Sequence, residues 1–378
     1  MYQEYQKMLD SVFGTGVVFV KDKGDRNNVI GAWAYRNEFL NFKQNYKKRL
    51  IRLRDSFNRK ENIKNIHRLI SEIGYNRTWR GTYAELVAYD VLRSKADSEF
   101  TTDVTRDSSF ALARYMDYDN INYDIHYDDA KDVYMDVKAF TDTVGDLLNN
   151  GIIKKVLDMP DFKGKQINVM PQYPLVDVED KYNAQVPELQ NELIENLRKL
   201  LGSDCKTYNY KSEILPELSF QMRKGPGMLS TLGEYNPIKR AEKLSDVLLW
   251  RYCNKLPFGK PFYLVFVNFA WYNQRESDAF DFNREVYRHF AELTFSQYEK
   301  DETKLIRDIK RGYRGPEAAS YATRKLTGII FIDDNTITDS SHNIYIYENL
   351  KADNKSPEFG QYLQKLVEGT KEGEYVIL

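Results

Sequence analysis

Two aspartates and a lysine in the stretch NINYDIHYDDAKDVYMDVKAF, residues 120–140, are of the types that hold a divalent cation beside a phosphate. The second half alternates, with Val133, Met135, Val137 and Ala139 on one face of a strand and Tyr134, Asp136, Lys138 and Phe140 on the other. The first half sets Tyr123, Ile125 and Tyr127 against Asn122, Asp124 and His126. DDAK between them is polar and turn-compatible, so the two halves read as a hairpin. A turn centred on Ala130 places Asp124 opposite Asp136. Carboxylates facing each other across a ladder cost up to about 1 kcal/mol, so the placement is accidental, the register differs, or the pair holds a cation. The turn has no Asn-Gly or Asp-Gly pair to pin it, and the spacing leaves all three readings open. Lys138 lies two residues on from Asp136 on the same face, where an ammonium beside a metal polarises a water and a phosphate oxygen together. Asp128, Asp129 and Asp132 read as a solvated turn, and His126 as a strand histidine facing solvent.

A helix must bring further chemistry to that hairpin. TWRGTYAELVAYDVLRS has Ala84, Val87, Ala88 and Val91 at helical spacing, which predicts a helix over Gly81–Ser94. Glu85 borders the apolar stripe. By itself it reads as an exposed glutamate near a helix start; about forty residues ahead of an Asp/Asp/Lys hairpin it becomes a candidate for the same site.

A glutamate in a Gly-x-x-x-Glu-Leu helix, an aspartate in the first strand of a hairpin and Asp-x-Lys on the second together resemble the PD-(D/E)xK phosphodiesterase superfamily, the fold of restriction endonucleases. The resemblance covers residues 74–140. It implies that Glu85, Asp124, Asp136 and Lys138 are catalytic, and that Asp124, Asp136, the carbonyl of Val137 and Glu85 hold the metal. Two positions depart from the pattern: Tyr123 stands where a proline is common, and Asp136 where glutamate is more usual. Hard oxygen donors select Mg²⁺ or Mn²⁺ over zinc. The implied reaction is hydrolysis of a phosphodiester, with Lys138 orienting the water or neutralising the phosphate oxygens.

The expected fold is α/β (α+β), a restriction-endonuclease-like core of mixed β-sheet flanked by helices. Residues 1–73 would form an N-terminal strand (GTGVVFV) and a basic helical arm from Ala34 to Ile73. Residues 74–270 would form the core, with a helical insertion at about 141–215. After it come a strand ELSFQMR (residues 217–223), an amphipathic helix Pro237–Cys253 and a buried strand PFYLVFVNF (residues 261–269). Residues 271–378 would add a C-terminal α+β region with helices around Asp281–Tyr298, Lys304–Arg311 and Phe359–Val367 and a hairpin of LTGIIFID and NIYIYENL.

The chain has 378 residues and a formal net charge of −1, which argues against a protein that coats nucleic acid along its whole surface. Basic surface must be local. Lys43, Lys47, Lys48, Arg49, Arg52, Arg54, Arg59, Lys60, Lys64 and Arg68 make a cationic face on the helical arm; Lys47, Lys48 and Arg52 there, and Arg311, Arg314 and Arg324 among tyrosines and glycines in RGYRGPEAASYATRK, are the candidate phosphate contacts. A solvated helix face and a surface loop are their bland readings. Two cysteines without metal spacing, no apolar leader and no membrane-length run point to a cytoplasmic protein. A DNA endonuclease of restriction or phage-defence type, acting on double-stranded DNA as a homodimer or with a partner protein, is the leading expectation. An inactive nucleic-acid-binding or scaffold subunit of the same fold, and an RNA-directed nuclease, are the alternatives.

Overall fold

The computed structural model describes residues 2–19, 28–35, 41–75, 78–115, 118–129, 131–140, 147–170, 185–216, 218–225, 252–269, 282–296, 323–338 and 342–378, with a few positions between 237 and 245. The chain divides into two compact units, Met1–Thr141 with Leu248–Leu378, and Asp142–Val247. The helix expected at Lys304–Arg311, most of the one expected at Pro237–Cys253, and the turn centre Ala130 lie outside the described residues.

In the first unit the chain opens with α1 (Tyr2–Phe13), whose Tyr5, Met8, Leu9 and Val12 recur at threes and fours and are buried. GTGVVFV, expected as a strand, follows it as a turn and irregular chain as far as it is described. After α2 (Val29–Tyr35), the single helical run expected to Ile73 is two helices, α3 (Phe42–Ser56) and α4 (Lys60–Glu72). The break has a visible cause. The carboxylate of Glu99 accepts the backbone N–H groups of Asn58 and Arg59, each at 3.0 Å, and so caps the start of α4. Helix α5 (Trp79–Arg93) buries Ala84, Val87, Ala88 and Val91 in one core with Ile125, Val133, Met135 and Val137.

The sheet it covers has seven strands. They are β1 (Thr101–Asp107), β2 (Asn120–Tyr127) and β3 (Val133–Ala139) in this unit's first segment. Within the second unit come β4 (Gln166–Met170), α6 (Val186–Gly202), β5 (Thr207–Lys211) and β6 (Ser219–Arg223). The first unit resumes with β7 (Phe262–Phe269), α7 (Phe282–Phe295), β8 (Gly328–Asp334), β9 (His342–Glu348), α8 (Pro357–Glu368) and β10 (Gly373–Ile377). The order in the large sheet is β1-β2-β3-β7-β8-β9-β10. β1, β2 and β3 form an antiparallel meander, β3, β7 and β8 run parallel, β9 turns back, and β10 lies parallel to β9. The continuous apolar run of β7 is buried at every residue, as a central strand between two parallel neighbours must be. At the start of β8 only glycine fits: a Cβ on Gly328 would lie 2.6 Å from the Tyr263 ring.

The second unit has its own core. β6 lies between β4 and β5 in an antiparallel three-stranded sheet, and Phe220 and Met222 of β6 pack with Leu189, Leu193 and Leu197 of α6. ELSFQMR, expected as a strand of the main core, therefore belongs to this separate sheet. Its Phe220/Met222 alternation marks a half-buried strand; which sheet such a strand joins is set by partners far along the chain.

Candidate active site

The hairpin pairs Ile125 with Met135, His126 with Tyr134 and Tyr127 with Val133, the register of a turn centred on residue 130. One step further the ladder opens. Ile125 and Tyr127 face α5 in the core, and His126 stacks on Tyr134 across the sheet at 4.0 Å. Strict alternation would send Tyr123 to the α5 side. Instead its ring packs on Tyr134 at 4.9 Å, so β2 switches faces at Asp124. Strand β1 kinks at the same level: Asp103, between the residues that pair with Ile125 and Tyr123, has φ +55°.

That kink determines where the Asp124 carboxylate goes. Its Oδ2 accepts the backbone N–H of Val137 at 2.6 Å, taking the place of a ladder carbonyl where β2 and β3 splay apart. The carbonyl of Val137 leaves the strand on the same side as its N–H and so points into the same gap. Asp136 is fully buried; its Oδ2 is 2.7 Å from Lys138 Nζ, and its Oδ1 accepts from Lys255 Nζ at 2.5 Å. Lys138 Nζ is also 3.9 Å from Asp124 Oδ2. Asp124, Asp136 and Lys138 thus meet at one point, with Asp136 as the floor and the other two half-buried at the mouth.

Glu85 comes to this point from α5 through a hydroxyl. Tyr89 Oη lies 3.0 Å from the carbonyl of Asp124 and 3.4 Å from Glu85 Oε2, and accepts from Asn65 Nδ2 at 3.3 Å. Arg68 donates in turn to Asn65 Oδ1. Tyr89 is four residues after Glu85, one helical turn along the same face. The sequence displays that spacing, but only the kink at Asp124 makes it meaningful. Lys255 carries no sequence signal at all: it sits on the short turn Cys253–Lys255 ahead of β7, 119 positions from its partner.

The charges are unevenly satisfied. Burial pushes the Asp124 carboxyl well above the ordinary carboxylate range, and repulsion from Asp136 and Glu85 adds to it. Burial also raises Glu85 to about 7, with Asp103 and Asp136 adding to the shift and Arg68 and Lys138 opposing it. For Asp136 burial acts upward too, but Lys138 and Lys255 outweigh it and hold the group below its usual value. Burial would discharge Lys138, yet Asp136 and Asp124 keep it charged to higher pH than a free lysine. Two of three carboxyls therefore sit where negative charge is opposed, and they present hard oxygens.

Among the described residues no three acidic, histidine or cysteine side chains stand close enough to form a ready-made cation cage. The donor set nevertheless fits a hard divalent cation. Asp124, Asp136, the Val137 carbonyl and Glu85 supply oxygens only, and a dication would relieve the repulsion that raises Asp124 and Glu85.

Glu85 has a consequence for stability. The folded carboxyl keeps its proton up to about 7, against 4.5 ordinarily, so folding takes up a proton between those values. Its contribution to stability is then lost as pH rises from 4.5 through 7. We expect Glu85→Gln to flatten that slope and raise Tm at pH 8 by about 2 °C or more in the presence of chelator. Thermal scans of both proteins from pH 4.5 to 8 check this; parallel curves would contradict it.

The remaining expected residues go elsewhere. His126 binds Asp132 at 2.9 Å, and Asp132 also pairs with Lys260. Asp128 takes Arg59, and Asp129 takes Ser98 and Lys131, so the turn aspartates are engaged at the far end of the hairpin. Two cations of the basic arm are taken up by carboxylates within the fold. Arg49 is buried against Asp90 and Asp334, and Arg52 grips both oxygens of Asp90 at 2.7 and 2.6 Å. Arg49 is thereby a buried structural cation, while Arg52, paired with Asp90, keeps 39% of its side chain exposed. Lys47 is half-buried and Lys48 exposed. Arg324 gives its carbonyl to Asp353 N–H, and Arg311 and Arg314 lie outside the described residues.

Comparison with protein-family models, with curated proteins and with solved structures gives no match. The chain is a mixed α/β protein with a seven-stranded sheet flanked by helices, and no described helix is long and apolar enough to cross a membrane.

Proposed function

We propose that this chain is a metal-dependent phosphodiesterase of the PD-(D/E)xK kind that cuts DNA. One observation carries the reading: Asp124, Asp136 and Lys138 converge where β2 and β3 splay, with the Asp124 carboxylate bound to the N–H of Val137. The order of elements supports it as well. The Glu85 helix covers the hairpin, and the next strand of the sheet lies parallel to β3, the succession a restriction-endonuclease-like core requires.

Asp124, Asp136 and the Val137 carbonyl would hold Mg²⁺ or Mn²⁺, with Glu85 completing the set directly or through water. The bound ion would supply Lewis-acid stabilisation of the phosphate and lower the pKa of the attacking water. Lys138, kept charged by Asp136, donates to the water or to the phosphate oxygens and does not serve as a base. Double-stranded DNA of a foreign genome, cut in the cytoplasm by a homodimer, is the setting this chemistry suits.

A second reading has its own support. Both oxygens of Asp136 are matched by lysines, as in a cluster kept for structure in a nucleic-acid-binding subunit without activity. One assay separates the two. With Mg²⁺ or Mn²⁺ the wild type is expected to nick and linearise plasmid, and Lys138→Ala to lose about 10²-fold or more in rate. No cutting with either metal, together with DNA binding unchanged by chelator, would establish the scaffold. Offering RNA of the same sequence tests the RNA-directed alternative.

A further inference from the structure

Lys255 has no place in the sequence motif, yet it makes the shortest contact in the site. Its Nζ lies 2.5 Å from Asp136 Oδ1, on a carboxylate that is fully buried. The side chain is itself 23% exposed, so it reaches from the solvent side down to the floor of the pocket. Its backbone is fixed. Tyr123 donates its hydroxyl to the Lys255 carbonyl at 2.8 Å, and Leu256 N–H closes the turn onto Cys253. The same turn begins beside Tyr252, whose ring lies 5.4 Å from Lys138 Nζ. A pinned backbone with a flexible four-carbon stem lets the ammonium move and nothing else.

We infer that Lys255 is a displaceable counterion that occupies the cation's place on Asp136 and turns outward to hold the scissile phosphate when the cation enters. This rests on the phosphodiesterase reading above. With all three carboxyls ionised, as they become once a dication draws off the protons of Asp124 and Glu85, the carboxylates and two ammoniums sum to −1. A dication brings it to +1, and one phosphodiester then brings it to neutrality. Without Lys255 the site holding a dication would be neutral before substrate arrived, and the phosphate would find no net attraction. A long, strongly hydrated ammonium on a flexible stem suits this exchange; a guanidinium forked onto the carboxylate would compete harder with the cation, but once displaced it would offer the phosphate the same single charge.

The inference is tested on the full chain with Lys255→Gln, which keeps a donor for Asp136 without the charge, and with Lys255→Arg. Mn²⁺ binding is measured by calorimetry without nucleic acid, and binding of a DNA duplex is measured by anisotropy in Ca²⁺ across a range of salt. Lys255→Gln should bind Mn²⁺ about tenfold tighter. It should bind duplex about tenfold more weakly, with a salt slope shallower by about 0.9, the value for one phosphate contact. Lys255→Arg should keep the duplex slope and bind Mn²⁺ no tighter than wild type. If wild type binds Mn²⁺ and cuts DNA, but Lys255→Gln matches it in Mn²⁺ affinity or in salt slope, the inference is overturned and the phosphodiesterase reading stands. A wild type that binds no Mn²⁺ and cuts nothing removes both. Should Lys255→Gln not fold, Lys255→Arg decides alone: Mn²⁺ affinity above wild type or a changed duplex slope overturns the inference.

Discussion

Asp136→Asn should abolish DNA cleavage, on the order of 10³-fold or more, while leaving a folded protein. The asparagine keeps the shape of the pocket floor and one acceptor oxygen, but two ammoniums that shared a carboxylate now face a neutral group. It removes the one carboxyl in the site held below its usual value, and so the one reliably charged at neutral pH. Asp136→Ala should go further and cost stability as well, because it leaves Lys255 without its carboxylate and Lys138 with only Asp124 at 3.9 Å, a loss of about 3 kcal/mol. Plasmid cleavage with Mg²⁺ and thermal unfolding measured in parallel separate the two variants. If Asp136→Asn cuts at the wild-type rate, the carboxylate takes no part in the reaction.

The second large effect is remote from the site and concerns the fold alone. Arg49 is fully buried, with Nε 3.2 Å from Asp90 Oδ2, Nη2 2.9 Å from Asp334 Oδ1 and Nη1 2.7 Å from the Tyr83 hydroxyl. Burial disfavours its charge, but Tyr83, Asp334 and Asp90 more than offset this. Asp334 is held down at about 2; burial opposes this, and Arg49 is the strongest of the groups that outweigh it. Arg49→Met removes the cation and leaves the Asp334 charge buried with neutral donors from Tyr83 and Thr336 in place of its guanidinium. Breaking a buried pair in this way costs about 3–5 kcal/mol, and Tm should fall by roughly 5–10 °C. The phosphate-binding role expected for this face would give a different result: weaker DNA binding at unchanged Tm. Asp334→Asn, which keeps the shape at Asp334 and removes its charge, should be milder than Arg49→Met if the pairing is what matters.

These two experiments fall on either side of what could be read from residue order. The helix carrying Glu85, the hairpin and its register, and the buried strand that became β7 were all legible, because each rests on local periodicity and a polar turn. The candidate triad Asp124, Asp136 and Lys138 was legible for the same reason, since all three lie within one hairpin. Alternation alone does not place the Asp124 carboxylate, however. Regular alternation would have put its side chain squarely on the face of Asp136. In the fold, a kink shared with Asp103 of β1 turns it into the plane of the sheet, onto the N–H of Val137.

Long-range contacts decided the rest. Periodicity marks a basic helix face but not which cations find carboxylates, so Arg49 and Arg52 read as surface when their partner Asp90 was about forty residues away on another helix. The strand at residues 219–223 has the alternation of any half-buried strand, and only its neighbours β4 and β5 assign it to the smaller sheet. Lys255 meets Asp136 because β3 and β7 lie parallel and adjacent, which brings the turn before β7 up to the pocket. By itself the sequence determined the elements and the residue types of the site, because local spacing encodes both. Which charges neutralise one another was left to tertiary structure, because such pairing depends on distances that only the assembled sheet creates.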